Sequence, residues 1–339
     1  MTADHNPTAD ASTPLRAIYE ARGPAPAELI AAVPFSRAAL QAGQARVALL
    51  AAPINPSDLL TLTGEYGMLP PLPAIGGNEG VGKVIELGPD TAGPALGQTV
   101  LLPMGIGTWA SEIVAEAAKL VPLPNAADPA QLSMLSVNPP TASLLLRDFV
   151  SLAAGEYLIQ NVANSGVGTY LVQLAAKAGI KTVNIVRREG AIAAVKEAGG
   201  ELVLLDGPGL AKRVREATGG AAIRLGIDAV GGAATDRLAS CLAEGGTLVN
   251  YGLMSGEPCQ VSAKSFVFND LTLKGFWLAR WFGRASRAEQ AKLYGELAGL
   301  IADGSLRTRI AHSYRLADIK QAVAAAGAGE RDGKILLTA

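Results

Sequence analysis

Between Tyr157 and Trp277 the chain repeats one grammar: a short apolar run, a turn of small residues, then a stretch with helical spacing. Six apolar runs can be read, at residues 157–162, 182–186, 202–205, 225–229, 247–251 and 271–277. Runs this uniformly apolar suit strands buried on both faces, because a strand with one wet face would alternate with polar residues. Helical stretches lie between the early runs, and one of them sets Val167, Leu171, Leu174 and Ala178 on a single face. Strand and helix in alternation are joined by right-handed crossovers, which lay the strands parallel between two helical layers. This stretch therefore reads as a doubly wound α/β sheet.

Upstream the pattern is different. From Arg46 to about Pro122, short apolar strands (residues 46–51, 81–87, 99–102 and 112–115) alternate with glycine and proline turns, an all-β signature. Past Trp281 come a helical segment over 287–302, a short β-like region and a terminal strand over 334–338. A chain of 339 residues is too long for one small core. The simplest division gives residues 1–132 and 283–339 to a β-rich catalytic domain, with a Rossmann-type nucleotide-binding domain, residues 133–282, inserted between them.

Composition bounds the setting. Apolar residues make up 49% and charged residues 17%, enough to bury two cores. The net charge of −1 and the lack of any Lys/Arg run argue against nucleic-acid or membrane-surface partners. No apolar run reaches the roughly 20 residues that span a bilayer. Residues 1–14 read as a polar tail with neither an apolar signal core nor an Arg-rich amphipathic pattern. Two cysteines, Cys241 and Cys259, make no disulfide framework or Cys-rich zinc site. With only His5 and His312, histidine-based metal binding and Ser-His-Asp catalysis are poorly supplied. A reducing, cytoplasmic location is the expectation.

The first of the six strands runs into Ala163, Asn164, Ser165, Gly166, Val167 and Gly168 and then a helix. Against the dinucleotide fingerprint G-x-G-x-x-G, Ala163 and Ser165 hold the first two glycine positions and Gly168 the third. A turn of tiny residues lets backbone N–H groups and a helix N-terminus approach a pyrophosphate. Any tight strand-to-helix turn also wants small residues; the six-strand setting favours the nucleotide. About twenty residues on, the second strand ends in Arg187 and Arg188, where NAD-specific sites favour an acidic residue and arginine suits a 2′-phosphate. Guanidinium forks match phosphate oxygens. NADP(H) is the expected cofactor, with two solvated arginines beside Glu189 as the plain alternative.

A tyrosine, Tyr66, lies in the glycine- and proline-framed stretch INPSDLLTLTGEYGMLP (54–70), and GGNEGVG (76–82) follows it. Such an aromatic in isolation more often packs a loop than performs chemistry. Together with GIGTW (105–109), VNPPTA (137–142), NSGVG (164–168), YGLM (251–254) and LKGFWL (273–278), however, these stretches resemble the mitochondrial-type trans-2-enoyl-thioester reductases. That family belongs to the zinc-free medium-chain dehydrogenase/reductase superfamily, and the resemblance runs from about Arg46 to the C-terminus.

The resemblance implies a GroES-like catalytic domain beside the Rossmann domain, and NADPH-dependent reduction of the double bond of an enoyl thioester carried by coenzyme A or an acyl carrier protein. Tyr66 matches the family's catalytic tyrosine, placed to donate a proton or steady charge on the substrate's oxygen. Asn138, Asn164, Ser165, Gly166, Val167, Gly168, Arg187, Arg188, Tyr251, Gly252, Leu253, Met254, Phe276, Trp277, Leu278 and Lys334 are implied to contact the cofactor. Trp277 would also flank the acyl pocket as a second catalytic-site residue, and Trp109 would line the pocket or pack the core. No metal is expected: zinc alcohol dehydrogenases of this layout carry Gly-His-Glu where Gly77, Asn78 and Glu79 stand here. A homodimer formed through the nucleotide domain is also implied. Two departures stand out: Arg187, Arg188 and Glu189 replace the family's Arg-Asp-Arg, and Pro140 replaces a small residue. Arg280, Arg284 and Arg287 could meet carrier phosphates or form a solvated basic edge. The competing functions are a quinone or small α,β-unsaturated carbonyl reductase and, in another class, a nucleotide-binding sensor without turnover.

Overall fold

The computed structural model describes residues 13–329 and 331–339, so the tail up to residue 12, His5 included, lies outside the described residues. The chain forms two compact units: one runs to Ser136 and resumes over Ile310–Ala339, and the other is Val137–Arg309. The first unit contains β1 (Leu15–Tyr19), α1 (Pro26–Leu29), β2 (Ile30–Pro34), β3 (Gln44–Pro53), α2 (Pro56–Thr63), β4 (Ala74–Ile75), β5 (Val81–Leu87), β6 (Thr99–Leu101), β7 (Glu112–Glu116), β8 (Val121–Pro122) and α3 (Pro129–Leu132). The second holds α4 (Asn138–Arg147), β9 (Tyr157–Gln160), α5 (Gly166–Lys177), β10 (Lys181–Val186), α6 (Ile192–Glu197), β11 (Leu202–Leu205), α7 (Leu210–Thr218), β12 (Ile223–Asp228), α8 (Gly232–Ala239), β13 (Thr247–Asn250), α9 (Ala263–Asn269), β14 (Thr272–Gly275), α10 (Leu278–Phe282) and α11 (Arg287–Ala302). The chain then returns to the first unit with β15 (Ile310–Arg315), α12 (Ile319–Gly327) and β16 (Lys334–Thr338).

In the first unit β3 is the central strand, ten residues long, seven of them buried. It pairs antiparallel with β5, β7 and the C-terminal β16, in a sheet ordered β15-β16-β3-β5-β6-β8. A smaller antiparallel sheet, β2-β1-β4, packs into the same apolar core, which includes Tyr19, Val47, Ile54, Leu62, Trp109, Val323 and Leu337. The glycine- and proline-framed stretch that carries Tyr66 contains a helix, α2. Asn55 caps it, Pro56 sits at its first position, and Asp58 at N3 returns the Asn55 N–H in a capping box.

The second unit is the expected doubly wound sheet. All six strands pair parallel in the order β11-β10-β9-β12-β13-β14. The direction of winding reverses between β9 and β12, and open sheets of this kind bind ligands outside the strand C-termini at that point. Helix α5 buries Val167, Tyr170, Leu171, Val172 and Ala175, while Ala178, expected on its inner face, is its exposed C-cap. The second boundary between units falls after Arg309 instead of after residue 282. Helix α11 packs on α4 and so stays with the nucleotide unit.

Candidate active site

Tyr66 leaves the C-terminus of α2 by a tight exit. Gly64 adopts the left-handed conformation (φ +92°), and the N–H groups of Gly64, Glu65 and Tyr66 all donate to the Leu60 carbonyl, at 3.0, 2.9 and 3.1 Å. Further along, the Arg22 guanidinium donates to the Pro70 carbonyl. The loop is thus tied on both sides of Tyr66, whose side chain is half-buried, with Met68 and Leu69 exposed beyond it.

Beneath this helix lies a buried polar network that joins three distant stretches of sequence. One Asp58 oxygen accepts the Asn55 N–H at 2.7 Å and the other the Asn78 N–H at 3.0 Å. The Asn55 amide donates to Glu79 at 2.7 Å, and the Lys334 ammonium donates to the Asn55 side-chain oxygen. Thr108 Oγ1 donates to the Glu79 carbonyl at 2.7 Å. Burial pushes the Asp58 carboxyl up to about 6 against the opposing pull of its bonds from Asn55 and Asn78 and of Lys334. Burial likewise draws Lys334 down to about 8, resisted by Glu79. Lys334, expected at the cofactor, is a buried strand residue whose ammonium meets the Asn55 side chain.

Gly76 and Gly77 have a packing reason. A Cβ on Gly76 would lie 2.2 Å from Trp109 Cε3, and one on Gly77 2.4 Å from Trp109 Cδ1. Trp109 is fully buried beneath them, a core residue and not a pocket wall. Asn78 gives the site its backbone N–H rather than an imidazole. Among the described residues no three of His, Cys, Asp and Glu gather to hold a metal ion.

In the second unit the expected cofactor residues gather at one end of the sheet. Val162 leaves β9 with φ +50°, Ala163 N–H donates to Ile185 at the end of β10 (3.3 Å), and Ser165 caps α5 by accepting the Gly168 N–H at 3.0 Å. A Cβ at Gly168 would lie 2.6 Å from the Ala163 carbonyl and 2.7 Å from that of Val162, so only glycine closes this turn. Asn164, Ser165 and Gly166 remain half-buried, and Val167 and Gly168 are buried. Arg187, exposed, and Arg188, half-buried, follow β10, the strand paired beside the turn. Tyr251 follows β13; its phenol is bonded to Ser165 and raised by burial. A Cβ at Gly252 would lie 2.7 Å from the Ala229 carbonyl, which lets the β13 exit run close to that of β12, and Leu253 and Met254 lie exposed past it. Phe276, Trp277 and Leu278 follow β14: Phe276 N–H donates to Asn250 at 2.8 Å, Phe276 stacks edge-on against Phe149, half-buried Trp277 caps α10, and Leu278 is buried. Asn138, buried, opens α4.

Asp228, which no motif flagged, ties these turns together. Its fully buried carboxylate accepts from Asn161 Nδ2 (2.6 Å), Val230 N (2.9 Å), Gly231 N (3.3 Å), Thr235 Oγ1 (2.7 Å) and Asn250 Nδ2 (3.0 Å). The exits of β9, β12 and β13 thus share one acceptor. A lone acidic residue closing an apolar strand, with asparagines closing two others, was the signal available in the sequence.

Two families match by sequence: one described as a zinc-binding dehydrogenase over residues 166–294, and one described as an alcohol dehydrogenase GroES-like domain over residues 41–125. The fold matches the solved Etr1p complex with NADP and crotonyl-CoA (TM-score 0.87, 23% identity, 96% of this chain and 100% of that one). It also matches a mycobacterial quinone oxidoreductase (TM-score 0.81, 24% identity, 97% and 100%), so architecture alone does not separate these chemistries. Curated relatives named enoyl-[acyl-carrier-protein] reductase, mitochondrial, include those of Rattus norvegicus (35% identity over 306 residues, 88% of this chain and 82% of the relative) and Caenorhabditis elegans (35% over 288 residues, 83% and 83%). The word mitochondrial in those names overturns the cytoplasmic expectation, since composition reports what a fold buries and not where a chain is delivered. With a GroES-like unit and a doubly wound nucleotide unit in the expected order, and more than a third identity over most of both chains, the protein belongs to the mitochondrial-type enoyl-[acyl-carrier-protein] reductase family.

Proposed function

We propose that the chain reduces the 2,3 double bond of trans-2-enoyl thioesters, carried on coenzyme A or an acyl carrier protein, at the expense of NADPH. The activity named for its relatives supports this, and the observation that carries it is the Tyr66 loop, braced on both sides of a half-buried phenol. Bound NADPH supplies hydride to the β-carbon of the substrate. Tyr66 gives a hydrogen bond to the thioester oxygen as charge builds there, or the proton that reaches the α-carbon. Because the Tyr66 backbone is already fixed on Leu60, little reorganisation is left for the reacting state. Exposed Met68 and Leu69 offer apolar surface to an acyl chain. The Asn164, Ser165, Gly166, Val167 and Gly168 turn, at the N-terminus of α5, suits the pyrophosphate. Arg187 and Arg188 suit the 2′-phosphate, and Asn138, Tyr251 to Met254 and Phe276 to Leu278 are assigned to the rest of the cofactor, with Trp277 beside the nicotinamide. Lys334 serves as an internal anchor.

The test is NADPH consumption with crotonyl-CoA against a simple quinone. Turnover of the thioester is expected, with Tyr66→Phe lowering kcat by about 10²–10⁴ and leaving NADPH affinity in place. An inert thioester beside a reduced quinone, or a Tyr66→Phe enzyme as fast as wild type, refutes it.

The protein also acts as a homodimer through β14. This edge strand has four exposed residues, and α9 beside it in sequence exposes Phe266, Val267 and Phe268, the last two by 71% and 75%. An unpaired edge with an apolar flank is a template for a second copy. Light scattering should give a dimer for wild type and a monomer for Phe268→Glu; equal masses count against the interface.

A further inference from the structure

The buried carboxylate beneath α2 joins the helix that leads into the Tyr66 loop to the Gly76–Gly80 turn. Asp58 stands at N3 of α2, and its two oxygens are divided between the Asn55 N–H of its own helix and the Asn78 N–H of the Gly76–Gly80 turn. The same helix is only eight residues long, and its Leu60 carbonyl collects the N–H groups of Gly64, Glu65 and Tyr66. A single residue, Leu59, thus separates the anchoring Asp58 from the carbonyl that holds the tyrosine. Resting on the reading of Tyr66 given above, we propose that Asp58 is a positioning residue for Tyr66: it staples α2 to the Gly76–Gly80 turn and so sets where the phenol stands.

The surroundings argue for a staple. The Gly76–Gly80 turn is closely packed: Trp109 fills the space beneath its first two glycines and Thr108 donates to the Glu79 carbonyl. On the other side, Asn55 is fixed by Glu79 and Lys334. Asp58 accepts from both, and it is only 2% exposed, so water does not reach its place. An asparagine there has one acceptor oxygen for two backbone donors, and one of the two ties must fail.

A double-mutant cycle tests this with crotonyl-CoA and NADPH. Asp58→Asn should lower kcat by roughly tenfold to a hundredfold, the scale of a misplaced catalytic group, with the KM for NADPH changed by less than about twofold. In a Tyr66→Phe background the same substitution should lower kcat by less than about twofold, since no phenol is left to misplace. Multiplying effects would overturn the positioning role, because they would mean that Asp58 acts through something else. If Tyr66→Phe has no effect of its own, it is the reading of the active site that fails, and this inference with it. Should Asp58→Asn not fold, the wild-type pH profile decides. Asp58 is faced by Lys334 and Glu79, with Tyr19, Arg22 and Arg331 next outward. A fall in kcat as pH drops through about 6, present in wild type and missing in Tyr66→Phe, supports the staple; a fall in both or in neither refutes it.

Discussion

Replacing Asp228 by alanine removes the acceptor of five donors at once. Three are side chains, Asn161, Thr235 and Asn250, and two are the backbone N–H groups of Val230 and Gly231. Asn161 and Thr235 are buried, so their orphaned groups carry the desolvation penalty of about 1–3 kcal/mol each. Asn250 and Val230 are half-buried and recover part of theirs in water, and the 3.3 Å bond from Gly231 is the weakest of the set. The loss is thus about 4 kcal/mol, at the upper end of single-site effects. For a unit of this size it should lower the melting temperature by roughly 8–16 °C. Asp228→Asn retains one oxygen, hence either the three donors on Oδ1 or the two on Oδ2, and should lose about half as much. Differential scanning fluorimetry measures the melting shift, and nucleotide fluorescence titration measures NADPH affinity, which should weaken because the exits of β9, β12 and β13 no longer share a partner. An Asp228→Ala protein melting within about 2 °C of wild type, or binding NADPH equally well, would refute the view that this carboxylate organises the nucleotide turns.

Two other outcomes follow from the same geometry. Gly76→Ala forces a methyl to within 2.2 Å of a fully buried tryptophan ring, so it should destabilise the first unit by about 1–3 kcal/mol, read as a lower urea midpoint, while Trp109→Ala in addition should relieve the clash. Arg187→Ala with Arg188→Ala should raise the KM for NADPH far more than that for NADH, by roughly tenfold or more, measured with both cofactors at saturating crotonyl-CoA.

The fold was legible where burial alone dictates sequence. The six parallel strands, α11 and the terminal β16 lie where their apolar pattern put them; burial on both faces explains β9, β10, β12 and β13, whereas β11 is half-buried and β14, expected to be buried, is exposed at the sheet edge. Helix α2 escaped the periodicity argument, since eight residues between Pro56 and Thr63 are too few to show a period. Its capping signs, Asn55, Pro56 and Asp58, were in plain view. The Gly76–Gly77 pair was read as part of a motif, and its cause, the face of Trp109, is more than thirty residues away in sequence. Lys334 was matched to the cofactor by resemblance, and its hydrogen-bond partner Asn55, far off in sequence, becomes its neighbour only when β16 pairs with β3. Motif turns can be found from local spacing; the groups that brace them are joined by long-range packing, and a lone polar residue in an apolar run gives little sign of its partner.

Both units brace their turns in the same way, on a buried carboxylate. A tight turn exposes backbone N–H groups that no ladder satisfies, and a buried carboxylate can accept several without admitting water. Asp228 has five donors, whereas Asp58 has two backbone N–H groups, and for Asp58 the penalty of burial wins: its carboxyl in the fold is up to about 6, above the ordinary 3.8. A folded-state value raised in this way favours the folded chain when the proton is on, so the contribution is full below about 3.8 and is lost as pH rises through about 6. At neutral pH the charged Asp58 therefore weakens the fold relative to its protonated form. Global stability does not account for a buried anion there. The positioning proposed above, of α2 and with it the carbonyl on which Tyr66 rests, is a role that needs the anion's two oxygens.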